Sequence, residues 1–205
     1  HSYAQDEMYG ENYGYRSGLN KSMVNHLKAK VDFLNNLVVI KSGDLVLDIG
    51  SNDGTTLNSY PENMGIDRIG IDPTAKKFKQ HYQEDIKIID TFFSKETFFN
   101  FNQKKAKIIS SIAMFYDLED PILFASEIYD CLDEDGIWHF EQSYMPSMLR
   151  TNSYDTICHE HLEYYSLNNI IYILEKVNMK IVDIQFNSIN GGSFAITAAK
   201  NNGYV

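Results

Sequence analysis

Long apolar runs are absent from this sequence, and that absence limits the classes of protein it can belong to. No stretch of its 205 residues approaches the roughly 20 consecutive apolar residues that a membrane-spanning helix needs. The first residues are polar and aromatic, without the basic and apolar regions of a signal peptide. We therefore expect no membrane association. The length and the 43% of apolar residues predict a single domain with a substantial core.

Cysteine and positive charge are also scarce. Two cysteines, Cys131 and Cys158, are too few for a disulfide framework, which predicts a reducing, cytoplasmic setting. The 18 basic residues against 28 acidic ones give a net charge of −10. A protein that binds nucleic acid needs a basic surface to neutralise phosphates, so this charge argues against nucleic-acid binding.

Apolar residues recur at helical spacing in several segments. An amphipathic helix is predicted over residues 21–37, with Asn20 or Ser22 as its N-cap. Further helices are predicted to begin near Thr55 and to span residues 121–132 and 167–177.

Short apolar segments alternate with these helices. The predicted strands are residues 44–50, 68–74, 85–90, 107–115, 136–143, 180–186 and 193–200. Alternation of this kind indicates an α/β fold with a parallel sheet and helices on both faces. The last two strands are joined by a short turn, so one strand near an edge should be antiparallel. This Rossmann-like sheet of seven strands is the layout of a class I methyltransferase. We expect residues 1–43 to form an N-terminal helical arm packed on a core of residues 44–205.

The segment LDIGSNDGTTL (47–57) predicts a ligand-binding turn. Asp48 ends a buried strand, and small residues in the turn allow the backbone to approach a ligand closely. Asp72 ends the next strand, where an acid can accept hydrogen bonds from ribose hydroxyls. A tight turn without any ligand is the alternative. The turn residues assigned to the ligand are Gly50, Ser51, Asn52 and Gly54.

This turn resembles the D-x-G-x-x-x-G loop that binds S-adenosylmethionine, with Asn52 where the middle glycine often stands. By position, Asp48 would lie near the amino-acid part of that cofactor, and Asp90, after the third strand, near its adenine. Ligands of open α/β sheets bind beyond the carboxyl ends of the strands. The ends of the fourth and fifth strands therefore add four candidates: Ser110, Ser111, Glu141 and Tyr144, of which Ser111 is assigned to the cofactor.

The segment YDTICHEHLEYYS (154–166) concentrates side chains that can carry chemistry. Zinc needs three or four ligands around one ion, and Cys158, His159 and His161 are too tightly clustered to surround one. We therefore predict no metal site. An acid–base site and a polar loop without chemistry are the remaining interpretations. An imidazole titrates near neutral pH, which makes His161 a suitable general base.

Five segments resemble, in the same order, the nucleotide-sugar C-methyltransferase family. They are YGYRSGLNKSM (13–23), LDIGSNDGTTL (47–57), FEQSYMPSM (140–148), YDTICHEHLEYYSL (154–167) and NGGSF (190–194). The resemblance implies transfer of a methyl group from S-adenosylmethionine to a carbon beside the ketone of a nucleotide-linked 4-keto sugar.

The resemblance also implies roles for individual residues. His161 would be the base, assisted by Glu160 and by Tyr13 or Tyr15. The residues expected to contact the small-molecule substrate are His159, Glu141, Tyr144, Tyr164 and Asn190.

Three departures from the family pattern leave other functions open. The sequence contains no N-terminal zinc-binding segment, carries Asn190 where the family has a histidine, and offers Asp117 in place of an E-H pair. The changes at Asn190 and Asp117 motivate an O- or N-methyltransferase as one alternative. The missing zinc segment motivates a non-catalytic, cofactor-binding module of a larger biosynthetic protein as the other.

Overall fold

A computed structural model describes residues 8–9 and 13–203. Most of the predicted arm before the first helix (residues 1–7 and 10–12) lies outside the described residues. The helices of the described part are α1 (Lys21–Leu37), α2 (Thr55–Asn58), α3 (Lys95–Phe101), α4 (Pro121–Cys131), α5 (Met145–Thr151) and α6 (Leu167–Lys176). The strands are β1 (Leu45–Ile49), β2 (Asp67–Ile71), β3 (Lys87–Ile89), β4 (Ala106–Ile112), β5 (Leu132–Ser143), β6 (Met179–Asn187) and β7 (Ser193–Lys200).

The strands form one seven-stranded sheet in the order β3-β2-β1-β4-β5-β7-β6. Neighbouring strands from β3 to β5 pair in parallel, whereas β7 is antiparallel to both β5 and β6. The predicted fold class is therefore confirmed. The antiparallel strand lies one position inside the edge, because β7 inserts between β5 and β6.

Helices cover both faces of the sheet. On one face, Val31 and Leu34 of α1 and the C-cap residue Val38 pack against residues of β1, β4 and β5. On the other face, α4 and α6 pack against an aromatic cluster around Trp138 and Phe140. Strand β1 is buried along its whole length, as expected for a central parallel strand covered on both sides.

Local signals account for most element boundaries. Asn20 caps α1, because its Oδ1 accepts a hydrogen bond from the backbone N–H of Ser22 at 3.0 Å. Two helices of seven residues, α3 and α5, were not predicted, since such short segments give little periodicity. Their start signals were present: Ser94 caps α3, and Pro146 occupies the first turn of α5.

Strand β5 begins at Leu132, four residues before the predicted start at Gly136. Leu132 is buried, but the three residues after it are acidic and mostly exposed, so the apolar pattern did not include this part. Within the described ranges, none of the helices combines the length and apolar character needed to cross a membrane.

Candidate active site

A cleft opens at the carboxyl ends of β1, β2, β4 and β5. It contains about 1340 Å³ of empty space, including the part open to solvent. One wall is the turn after β1, and another is contributed by Tyr13, Tyr15 and Met23 from the arm and α1.

The turn after β1 owes its shape to left-handed residues. Gly50, Asn52 and Gly54 have φ values of +72°, +51° and +77°. Asparagine tolerates this region better than most side chains, which explains why it can replace a glycine here. Gly54 cannot be replaced as easily, because a Cβ there would lie 2.6 Å from a ring carbon of Tyr82.

Asp48 and Asp72 both line the cleft beside this turn. Burial raises the pKa of Asp48 to about 7, although hydrogen bonds from Ser110 and Thr56 lower it. The Ser110 hydroxyl donates to Asp48 Oδ1 at 2.5 Å. The two carboxylates therefore lie where sequence analysis predicted, at the ends of adjacent strands.

The oxygens of Asp72 differ in their remaining hydrogen-bonding capacity. Oδ1 accepts from the backbone and the hydroxyl of Thr74, at 2.6 and 2.5 Å. Oδ2 accepts from the backbone N–H of Asn52 at 2.8 Å, which leaves it able to accept one further bond.

Ser51 stabilises the turn through a hydrogen-bond chain that includes Tyr82. The Tyr82 hydroxyl donates to the carbonyl of Asn52 at 2.8 Å, so the Ser51 hydroxyl must donate to Tyr82 across 2.8 Å. Sequence analysis did not single out Tyr82, and only its aromatic character near the second strand could have suggested it.

Three residues assigned to the cofactor lie outside the lining of this cleft: Gly54, Asp90 and Ser111. Asp90 is exposed, and its neighbours Thr91, Phe92 and Phe93 line the cleft instead. Ser111 is fully buried, and its hydroxyl accepts a hydrogen bond from the Trp138 indole at 3.0 Å. Successive residues of a strand face opposite sides, so Ser110 faces Asp48 while Ser111 faces the aromatic core.

Glu141 lines the cleft at the end of β5 and is held by α1. Its Oε1 lies 2.6 Å from His26 Nε2, and its Oε2 accepts from Lys30 at 2.8 Å and from Asn187 at 2.8 Å. Burial raises the pKa of Glu141, but His26 and Lys30 outweigh it and lower the pKa to about 2. Sequence analysis missed this role of His26 and Lys30, although their spacing of four residues places them on one helix face.

The segment 154–166 contains a short turn at Tyr154–Thr156 and is otherwise irregular up to Ser166. His161 Nδ1 lies 2.8 Å from the carbonyl oxygen of Thr156. A carbonyl can only accept, so Nδ1 carries the proton and Nε2 is the nitrogen that can receive one. Tyr164 donates to the same carbonyl at 3.5 Å.

The remaining candidates of this segment are exposed. Glu160 is exposed and accepts a weak hydrogen bond from Cys158 at 3.7 Å, and His159 is exposed as well. Among the described residues, no group of three or more histidine, cysteine or acidic side chains is arranged to hold a metal ion.

Segment 154–166 lies next to the cleft and does not line it. The His161 ring packs 4.0 Å from the ring of Tyr116, centroid to centroid, and the next residue, Asp117, lines the cleft. Burial and then the charges of Glu160 and Asp117 raise the pKa of Tyr13 to about 12. The charges of Glu160 and Asp117 therefore both act on the Tyr13 hydroxyl.

Asp117 was not among the predicted site residues. Tyr9 donates to its Oδ2 at 2.7 Å. Burial raises the pKa of Asp117 to about 8, against the hydrogen bond from Tyr9, which lowers it. The departure from the family pattern at this position was the sequence signal that could have identified it.

Asn190 and Tyr144, both predicted to contact the substrate, occupy different places. Asn190 lines the cleft in a left-handed conformation, with φ of +50°. Tyr144 lies in a neighbouring groove with Arg150 and Gly192, and its ring packs 4.8 Å from that of Phe194. Tyr144 is thus separated from the main cleft, which it was predicted to line.

Three features define a class I methyltransferase domain. They are the sheet covered by helices on both faces, the antiparallel strand β7 one position inside the sheet edge, and the cleft beside the turn after β1. The chain belongs to the methyltransferase domain family, which it matches over residues 21–184. It is therefore an S-adenosylmethionine-dependent methyltransferase domain, as the resemblance implied.

Known proteins resemble the chain in sequence and in fold. The C-methyltransferase NovU of Streptomyces niveus is 26% identical over 201 residues, which are 97% of this chain and 47% of that protein. The chain thus spans about half the length of this curated relative.

Two solved structures are similar to the chain, and at their low sequence identities this similarity shows the fold alone. A complex between a methyltransferase activator and a methyltransferase from Haloferax volcanii has a TM-score of 0.69 at 14% identity, covering 89% of this chain and 93% of that one. Magnesium protoporphyrin IX methyltransferase of Synechocystis, solved with bound S-adenosylhomocysteine, has a TM-score of 0.66 at 13% identity, covering 92% and 90%.

Proposed function

We propose that this domain transfers a methyl group from S-adenosylmethionine to a carbon beside the ketone of a nucleotide-linked 4-keto sugar, with His161 as the base. The observation that carries the proposal is the tautomer of His161, which keeps Nε2 as a proton acceptor. The similarity to a C-methyltransferase across nearly the whole chain supports the choice of carbon as the acceptor atom.

The residues of the turn suit the cofactor. Asp72 Oδ2 has capacity for a ribose hydroxyl, and the apolar side chains of Ile71, Phe92 and Phe93 along the cleft suit an adenine ring. Asp48 lies in the wall of the same cleft, where it suits the ammonium group of the amino-acid part. S-adenosylmethionine, when bound, supplies an electrophilic methyl group on a sulfonium.

Removing a proton beside a ketone requires stabilisation of the enolate oxygen. Tyr13 lines the cleft, and its phenol is protonated at neutral pH, as any tyrosine is; burial raises its pKa further, to about 12. A protonated phenol can donate to a developing oxyanion, whereas a phenolate cannot. We therefore assign enolate stabilisation to Tyr13. Glu160 and His159 lie next to the cleft rather than in its lining, so we assign them to sugar hydroxyls that extend beyond it.

The test is the identity of the methylated atom. The protein is incubated with S-adenosylmethionine carrying a ¹³C-methyl group and a thymidine diphosphate-linked 4-keto-6-deoxyhexose, and the product is analysed by NMR. We expect a methyl group bonded to carbon. A methyl bonded to oxygen or nitrogen, or no product from a protein that binds S-adenosylhomocysteine, would contradict the proposal.

O-methylation is the second candidate, and Asp117 is the observation that favours it. This buried carboxyl lines the cleft, and its pKa of about 8 suits a base that takes a proton from a hydroxyl. In that case Asp117→Asn, rather than His161→Ala, would abolish turnover. A non-catalytic module would give no product with any acceptor.

A further inference from the structure

Residues 15–18 of the N-terminal arm, which precede α1, bind to the turn that follows β1. The side-chain amide of Asn52 uses both of its ends: Nδ2 donates to the carbonyl of Tyr15 at 3.0 Å, and Oδ1 accepts from the backbone N–H of Ser17 at 3.0 Å. Asn52 is buried, so water competes little for these two bonds.

Asp53 adds a hydrogen bond and an ion pair between the turn and the arm. Its Oδ2 accepts from the backbone N–H of Gly18 at 3.0 Å and lies 3.4 Å from Arg16 Nε. Its other oxygen accepts from the Thr55 hydroxyl at 2.6 Å, which fixes the carboxylate within the turn. Two consecutive turn residues thus hold four consecutive residues of the arm, 15–18.

The same turn faces the cleft on its other side. The backbone N–H of Asn52 donates to Asp72 Oδ2, the oxygen to which we assign a ribose hydroxyl. The arm residues Tyr13, Tyr15 and Ser17 line the cleft opposite this turn. Asn52 therefore contacts the acid through its backbone and the arm through its side chain.

We propose that Asn52 and Asp53 are positioning residues that close the arm over the bound cofactor and thereby place its tyrosines. The inference rests on the proposed function only for the identity of the cofactor. A glycine at position 52 allows the same left-handed backbone but offers no side chain to the arm. Because coupling between two sites is reciprocal, a ligand that orders the turn also orders the arm, and a fastened arm slows the release of that ligand.

Hydrogen exchange of residues 13–20 and stopped-flow release of S-adenosylhomocysteine test this proposal. In the native protein, we expect S-adenosylhomocysteine to slow exchange in the arm. In Asn52→Gly, exchange of the arm should be fast with or without the ligand. Release should be roughly ten- to thirty-fold faster, as expected for the loss of two hydrogen bonds of ordinary strength.

A matched control is Asn152→Gly, since Asn152 is also left-handed, with φ of +54°, and lies at the end of α5. It removes an asparagine side chain from the same backbone conformation away from the arm, so arm exchange and ligand release should match the native protein.

A second variant leaves the turn untouched. Ser17→Pro removes the N–H that donates to Asn52, and the backbone accepts proline because Ser17 begins a short helical turn after an extended Arg16. It should loosen the arm and speed release in the same direction. Native-like arm exchange and release in both variants would overturn the proposal, whichever atom the enzyme methylates.

Discussion

The two ends of the cleft differ in how their polar groups are satisfied. At the cofactor end, Ser51, Asn52 and Asp72 all have hydrogen-bond partners within the protein. At the acceptor end, both amide atoms of Gln142 are buried without a partner among the described residues. The protein's own hydrogen bonds thus fix the cofactor end, whereas the acceptor end retains a buried amide that a ligand or water would have to satisfy.

The largest expected effect is at the acceptor end. His161→Ala should lower turnover by roughly 10²–10⁴, the usual contribution of a general base, while leaving the affinity for S-adenosylhomocysteine unchanged. Initial rates and calorimetric titration measure the two quantities. His81→Ala, which alters an imidazole at the surface, is the control and should behave as the native protein. Loss of cofactor affinity in His161→Ala would remove the distinction between the two ends.

The reverse pattern is expected at the cofactor end. Asp72→Asn should weaken S-adenosylhomocysteine binding about 10- to 100-fold, because a charged acceptor for ribose is lost. The matched control is Asp67→Asn, at the opposite end of β2, where the carboxylate pairs with exposed Lys104. Equal affinities in the two variants would show that Asp72 does not contact the cofactor.

A pH series tests the raised pKa of Asp117, which like Asp48 is a cleft carboxyl whose pKa burial raises. Its pKa is raised from 3.8 to about 8, so the folded protein loses stability relative to the unfolded chain as pH rises between these values. Asp117→Asn lacks this penalty. Between pH 5 and pH 8, the unfolding free energy of Asp117→Asn should therefore rise relative to that of the native protein by on the order of 2 kcal/mol. Denaturant titrations at both pH values measure the gain, and an unchanged difference would contradict the burial argument.

The smallest effect concerns Gln142. Gln142→Met replaces an unpartnered buried amide by an apolar side chain of similar size, and should stabilise the protein by about 1 kcal/mol. Gln185→Met is the control, because Gln185 accepts a hydrogen bond from Lys30 at 3.1 Å and should lose stability. Thermal unfolding of both variants checks this. Destabilisation by Gln142→Met would mean that the amide has a partner after all.

The same contrast explains what the sequence alone could predict. Asp48, the left-handed turn and Asp72 lie within one strand–turn–helix–strand unit, so strand pattern and turn chemistry suffice to place them together. The fold followed from the same alternation of strands and helices. Short helices such as α3 escaped prediction because seven residues carry too little periodicity.

Contacts at the acceptor end join residues that are far apart in sequence. Tyr9 reaches Asp117 across 108 positions, and His26 reaches Glu141 across 115. No local pattern encodes such pairs, since they depend on how the arm and α1 pack over the sheet. The alternation of Ser110 and Ser111 was predictable in principle, because only one of two neighbouring strand residues can face the same side.

The most direct test of the account is proton exchange at the acceptor carbon. The protein is saturated with S-adenosylhomocysteine, which cannot donate a methyl group, and a thymidine diphosphate-linked 4-keto-6-deoxyhexose is added in deuterium oxide. The account predicts that deuterium enters the carbon beside the ketone, that His161→Ala abolishes this exchange, and that His81→Ala does not. Methyl transfer by the native protein without any such exchange, or exchange that persists in His161→Ala, would contradict it.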